Sequence, residues 1–203
     1  MCLNVLFSPR PKHQGPSPRG STVKTSTLIL AACLIPSAAQ CAAPAPSQSV
    51  IKHGEYLVTV IGCSHCHTPM KMGPNGAEPD MALFLSGHPA ALKMPTAPKL
   101  PQGPWLITVA GTNTAFAGPW GVSFTANLTS DKATGLGSWT EKDFITAIRT
   151  GKHKAKGRNI LPPMPWQDFK NATDSDLKAM FAYLQFTKPI TNAVPDAVEP
   201  PPH

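Results

Sequence analysis

The chain has 203 residues, room for about one ordinary domain with appendages. Its 41% apolar content supplies a core, while 24 prolines, 15 glycines and only 14% charged residues exclude a long regular bundle and call for turn-rich loops. The formal charge of +7 is concentrated near the N-terminus, where residues 1–39 hold Arg10, Lys12, Arg19 and Lys24 and no acid; with no basic stripe interleaved with aromatics, nucleic-acid binding is excluded.

The first element is an address. Lys24 is followed by a short apolar run, Leu28 to Ile35, and then by small residues, the pattern of a secretory signal over 23–39 with Ser37-Ala38-Ala39 before the cut. The run is far shorter than the roughly 20 residues a membrane-spanning helix needs, and no other stretch qualifies. Leu30-Ala31-Ala32-Cys33 gives a rival reading, since it resembles a bacterial lipoprotein signal in which Cys33 would carry a lipid anchor. Residues 1–22 read as neither signal nor domain: either a disordered basic extension, or a segment ahead of a true start at Val23. Residues 40–48 read as a flexible linker of small residues and proline.

Three helices follow in the segment 49–188. The first spans about 49–62, with Val50, Gly54, Leu57 and Ile61 on one face, although the β-branched run from Leu57 to Ile61 also suits a strand. The second runs from about 140 to 150: Thr140 and Asp143 form a capping pair, Phe144, Ala147 and Ile148 the apolar stripe, and Gly151 the stop. The third covers about 174–187, capped by Thr173 with Asp176 and lined by Leu177, Met180, Phe181 and Leu184. Between the first two lies a loop-rich insertion, 69–126, whose nine prolines exclude a long helix. There 105–110 (WLITVA) and 121–128 (GVSFTANL) are expected to pair as a small hairpin, and Trp105, Phe116, Trp120 and Phe124 to pack inward. The proline-rich tail, 189–203, reads as loose.

The chemistry is in GCSHCHTP, residues 62–69. A thioether needs a thiol and a vinyl group, and haem offers two vinyls on adjacent rings. Cys63 and Cys66, with two residues between them, span that gap on one turn, and His67 directly after them binds iron from beneath the ring; C-x-x-C-H is read as c-type haem attachment. A thioredoxin-type dithiol needs a βαβ context, but here the flanks are helix and loop. A structural zinc site wants four ligands, and the other cysteines, Cys2, Cys33 and Cys41, lie near or inside the signal. A disulfide between Cys63 and Cys66 would be strained. His65 faces solvent on this reading. Export agrees with haem attachment, which in bacteria takes place outside the cytoplasm.

Over about 48–187 the sequence resembles the class I c-type cytochromes, specifically exported bacterial members with a single haem. GCSHCHTP carries the resemblance most strongly. Residues 127–166 look like the later half of that group, and TDSDLKAMFAYLQF like its C-terminal helix. The resemblance implies a mostly α fold around one covalent haem c, with first and last helices crossing beside it and Gly54 permitting close approach near Tyr183. The 69–126 insertion departs from a minimal member.

Haem iron bound by one histidine keeps an open position, and a methionine there makes an electron-transfer centre of raised potential. Met70 and Met72 lie too near His67 to pass round the ring, Met180 falls on a core stripe, and Met81 and Met94 stay candidates. Met164, in LPPMPW between the second and third helices, is braced by prolines that stiffen its loop, and the resemblance points to the same residue. Trp139, Trp166 and Arg158 are candidate partners for haem propionates. Lys152, Lys154, Lys156 and Arg158 form either a solvated turn or a docking patch for an acidic redox partner.

The expected function is therefore a periplasmic electron carrier and not a catalyst in itself. Its axial iron ligands are His67 and Met164. It serves as a shuttle or as the cytochrome subunit of a redox complex, with a dehydrogenase, oxidase or reductase as partner. The alternative is a haem enzyme or gas-binding sensor with an open axial site.

Overall fold

A computed structural model describes residues 45–97, 103–155 and 157–200. The extension 1–22, the signal 23–39 with Cys33, and Lys156 lie outside the described residues. Among those described, five α-helices and two small antiparallel sheets follow in chain order. The helices are α1 (Gln48–Val60), α2 (Cys63–His67), α3 (Glu141–Thr150), α4 (Trp166–Phe169) and α5 (Asp174–Phe186). The strands are β1 (Met70–Gly73), β2 (Gly76–Pro79), β3 (Thr108–Val109), β4 (Ala115–Gly118) and β5 (Gly121–Phe124).

The helices carry the core. In α3, Asp143 N–H donates to Thr140 Oγ1 at 3.1 Å while Thr140 N–H donates to Asp143 Oδ2 at 3.0 Å, the reciprocal cap that sequence spacing foretold. Gly151 closes the helix with φ 66°, a conformation that favours glycine. In α5, Leu177, Met180, Phe181 and Leu184 are buried as expected, and the Phe181 ring lies 5.6 Å from that of Phe144. Each fully buried leucine, Leu177 and Leu184 among them, contributes about 1.5–3 kcal/mol of transfer free energy. Of the face expected of α1, Gly54 is buried and Leu57 and Ile61 pack against the core, but Val50 is 37% exposed; Ile51 and Val58 are buried instead beside them. Ser47 begins that helix, its hydroxyl accepting from Val50 N–H at 3.4 Å. The β-branched run stays helical up to Val60 because this face packs along α5.

The insertion contains more sheet than the single hairpin expected. β1 and β2 form one ladder, pairing Met70 with Pro79 and Gly73 with Gly76. The second sheet has the order β3-β4-β5, so 105–110 and 121–128 are not partners: β4 lies between them. The reason is the turn chemistry. Gly118 pairs with Gly121 across a two-residue loop, and Gly121 takes φ 91°, which closes a tight hairpin before β3 can reach β5. Phe116 is buried and Phe124 stacks beside His88, whereas Trp105 is 75% exposed, contrary to the inward packing expected of it. Leu85 leaves the insertion and enters the helical core, fully buried.

The described part of the tail is tied down at Asn192 and Val198, not loose. Val198 and Val122 exchange backbone hydrogen bonds of 2.9 and 2.8 Å. Asn192 donates to the carbonyls of Ser86 and His88 and accepts from Ala90 N–H.

Gly54 marks the closest helix approach. A Cβ there would stand 1.9 Å from Ala179 O and 2.9 Å from Tyr183 Cβ. Gly54→Ala should therefore destabilise the protein by about 1–3 kcal/mol, since a backbone carbonyl cannot step aside. Gly111, with open space around it, is the control: Gly111→Ala should stay within about 0.5 kcal/mol of the parent. Denaturant midpoints of the two variants check this, and equal midpoints would refute the close crossing.

Candidate haem site

The motif residues sit on α2, set off from α1 by a sharp turn at Gly62, which takes φ 80°. Helical spacing makes Cys63 and Cys66 neighbours, three residues apart, and places His67 on the adjoining face. His65 is exposed, as expected. His67 is buried, and its Nδ1 lies 2.7 Å from the carbonyl oxygen of Ala126. A carbonyl only accepts, so Nδ1 carries the proton. Burial holds the ring's pKa below the ordinary imidazole range, with the Ala126 bond partly opposing. The ring is therefore neutral near pH 7 with its lone pair on Nε2, the form a metal ligand needs.

Backbone and side chains around the motif come from the insertion. Gly87 N–H donates to His67 O at 2.8 Å, and Leu85 N–H donates to the buried Thr68 hydroxyl at 3.0 Å. Gly87, at φ 77°, has no room for a Cβ, which would lie 2.4 Å from Thr125 O. Leu85 and Gly87 within the insertion and Ala126 at its end thus all grip residues 67–68.

Both thiols are free. Burial pushes Cys63 up to about 11 and raises Cys66 in the same direction. A reactive redox dithiol needs the opposite, a thiolate stabilised near neutral pH. Two unbridged thiols on one turn, followed by a neutral imidazole with Nε2 free, fit covalent haem attachment.

The methionines separate by position. Met72 is 79% and Met81 64% exposed, Met94 lies at the surface, and Met180 is in the core. Met164 is half-buried and packs, like Cys63 and Trp139, against the cluster built on Val58, Phe144, Leu177 and Leu184. It also lines an open cavity of about 190 Å³ formed by the proline loop, with Ile160, Pro162 and Trp166. Cys63, Cys66 and His67 do not line that cavity, so Cys63 and Met164 share a core but not a pocket. The Trp139 ring meets His153 edge-on at 5.2 Å, with Lys154 Nζ 5.8 Å from its centre. Trp166 presses on Gly151, and Arg158 donates to Asn159 O at 3.3 Å. Lys152, Lys154 and Arg158 are exposed on a turn closed by the Lys152–Asn159 bridge.

Sequence reading missed the residues that hold the insertion together. Asn127 is buried and donates to Ile190 O at 2.8 Å, while its carbonyl oxygen accepts from Thr129. His88 is fully buried, with Nδ1 2.9 Å from Thr114 Oγ1 and Nε2 3.2 Å from Leu92 O. A lone histidine or asparagine in proline-rich text carries no periodic signal, so nothing local marked them.

No family model matches the chain. It is 28% identical over 170 residues to the cytochrome subunit of fructose dehydrogenase from Gluconobacter japonicus, which covers 82% of this chain and 27% of that one. It is 28% identical over 152 residues to the gluconate 2-dehydrogenase cytochrome c subunit of Pantoea cypripedii, covering 74% and 26%. The same identity over 152 residues relates it to the cytochrome c subunit of a quinone alcohol dehydrogenase from Gluconobacter oxydans, covering 73% and 24%. These similarities support a c-type cytochrome family. The chain spans about a quarter of the length of these curated relatives.

His88 makes the insertion acid-sensitive. Burial is the chief cause that lowers its pKa from the ordinary 6.5, so below that pH the unfolded chain takes up the proton more readily than the folded one. Stability should be unaffected by this group above about pH 6.5 and fall as pH drops from there toward the folded-state value. His88→Gln keeps a donor for Leu92 O and should flatten part of that fall. Thermal midpoints recorded from about pH 7 to pH 5 check it; parallel curves for variant and parent would overturn the assignment.

Proposed function

We propose that this chain is a class I c-type cytochrome with a cytochrome c-like fold over residues 49–188 and one covalent haem c, acting as an electron carrier. It works either as a shuttle or as the cytochrome subunit of a dehydrogenase or other redox complex. The carrying observation is the buried His67, fixed with its proton on Nδ1 by Ala126 O directly after two free thiols on one helical turn. Names of the relatives, all cytochrome subunits of dehydrogenases, support the same role.

Cys63 and Cys66 would hold the haem through thioethers, and His67 Nε2 and Met164 sulfur would bind its iron. When bound, haem supplies a one-electron ferrous–ferric couple. The chain's residues set the conditions for that couple. The Ala126 carbonyl orients the imidazole and makes it more electron-donating. The thioether of Met164 is soft and neutral and favours the reduced metal. Val58, Leu177 and Leu184 keep water from the core beneath. The chain turns over no substrate itself on this reading; its partners are redox proteins.

Export through the 23–39 segment belongs to the proposal and puts the protein in the periplasm, free or tethered by lipid at Cys33. No helix among the described residues is long and apolar enough to cross a membrane.

Haem attachment and ligation are tested together. The denatured protein should keep haem peroxidase staining on a gel, and Cys63→Ala with Cys66→Ala should abolish it. Met164→Ala should keep the stain, lower the reduction potential by on the order of 0.1 V within the about 0.8 V that axial ligands span, and open the iron to carbon monoxide and cyanide. Met94→Ala should change neither. Complete extraction of haem into acidified organic solvent would rule out the thioethers, and an iron opened by Met94→Ala alone would move the ligand into the insertion.

The exposed Lys152, Lys154 and Arg158, with Lys156 between them in sequence, are proposed to dock an acidic partner. Surface charges are screened over about 8 Å at physiological ionic strength. Electron transfer with the native partner should thus slow as salt rises, through the association rate. Glutamine at all four positions should flatten that slope. An unchanged slope would make the patch ordinary solvated surface.

A further inference from the structure

Residues 160–166 read Ile-Leu-Pro-Pro-Met-Pro-Trp. Three of the seven are prolines and have no N–H to donate, so the loop cannot secure itself with a backbone ladder. Met164 N–H reaches Leu161 O at 3.3 Å and Trp166 N–H reaches Met164 O at 2.9 Å, both within the loop. Among the described residues only two hydrogen bonds tie 160–166 to other elements outside α4. One runs from Ile160 N–H to Gly151 O, 2.7 Å, at the end of α3. The other runs from the Ser123 hydroxyl to Pro162 O, 2.6 Å.

Ser123 is built for that contact. It is buried on β5, opposite Phe116 of β4. Its neighbour Val122 is bonded on the outer side to Val198, so the strand is held from both edges. The hydroxyl has one proton. The distance to Pro162 O is 2.6 Å, against 3.4 Å to Phe116 O, so the proton goes to Pro162. Trp120 Nε1–H donates to Ser123 Oγ at 3.3 Å and fills an acceptor lobe, which aims the proton away from Trp120.

We infer that Ser123 is a positioning residue for Met164: its hydroxyl, oriented by Trp120, holds Pro162 two residues ahead of the thioether and keeps the sulfur at the iron. The inference rests on Met164 being the axial ligand. It gives the insertion a task, since β5 is its last strand and holds the ligand loop at Pro162 while the end of α3 holds it at Ile160. Ser123 touches neither iron nor haem on this view. It acts through the loop, and its removal leaves attachment at Cys63 and Cys66 untouched.

The test uses the haem-loaded protein. Ser123→Ala deletes one of two anchors, and a neutral hydrogen bond of ordinary strength corresponds to about a 3- to 10-fold rise in the detached fraction of the methionine. Cyanide association to the ferric protein should accelerate by that factor, with covalent haem content equal to the parent's. Ser123→Thr, which keeps the hydroxyl, should restore the slow rate. A merely structural serine would lower the denaturation midpoint without moving the cyanide rate, and that result would overturn the inference. So would an unrescued rate in Ser123→Thr when its midpoint matches the parent's. Met164→Ala separates the two levels of the argument: if it opens the iron while Ser123→Ala binds cyanide at the parental rate, only the role of Ser123 fails. If Met164→Ala leaves the iron closed, the ligand assignment fails and the inference goes with it.

Discussion

One carbonyl sets the terms for the site. Ala126 O accepts from His67 Nδ1, and that single bond decides which ring nitrogen is free. Burial makes the neutral imidazole the stable form, but burial alone does not choose a tautomer. The carbonyl does, and it is supplied from 59 residues away in sequence, at the close of the insertion. The chain must therefore leave His67, complete two sheets and return to within hydrogen-bond distance of it. Gly87 meeting His67 O and Leu85 meeting the Thr68 hydroxyl are the outgoing half of the same closure. The insertion thus supplies both the partner of the ring and the partner of its main-chain carbonyl.

The helical layer answers a different need. The turn of Cys63, Cys66 and His67 follows α1 directly, and Cys63 packs on the core that α1 and α5 share. Gly54 lets the two backbones meet at Ala179, and Leu177, Met180 and Leu184 fill the space beneath. Ion pairs play a small part here. Arg149 with Asp174 and Lys178 with Glu141 lie at the surface, where such pairs are worth about 0–1 kcal/mol.

The features legible in the sequence were those written in local code. Thr140 with Asp143, and Thr173 with Asp176, are caps a few residues wide, and the stripes of α3 and α5 repeat at helical spacing. Cys63, Cys66 and His67 stood out because their chemistry requires adjacency. On α1 the sequence does not separate Val50 from Ile51, since both are β-branched and apolar, and only the partner helix distinguishes them. β4 was invisible because Ala-Phe-Ala-Gly has little strand character, and its neighbours then seemed to be each other's partners. Ala126 could not have been found at all, since it contributes a main-chain atom that every residue has. The tail looked loose because proline is common in disordered text, yet one asparagine, Asn192, pins it to three backbone groups.

The Val122–Val198 bridge has a consequence for the order of assembly. It joins the middle of the chain to a segment that follows α5, just as α5 joins back to α1. Both closures span long stretches of sequence, and the entropy lost in shutting such loops is recovered only when the distant contacts form. A chain that emerges N-terminus first presents Cys63–His67 before Leu85, Gly87 and Ala126, which close over residues 67–68. His67 can be enclosed only once Ala126 has emerged, and the face of α1 only once α5 has, so the timing of enclosure is written into the topology.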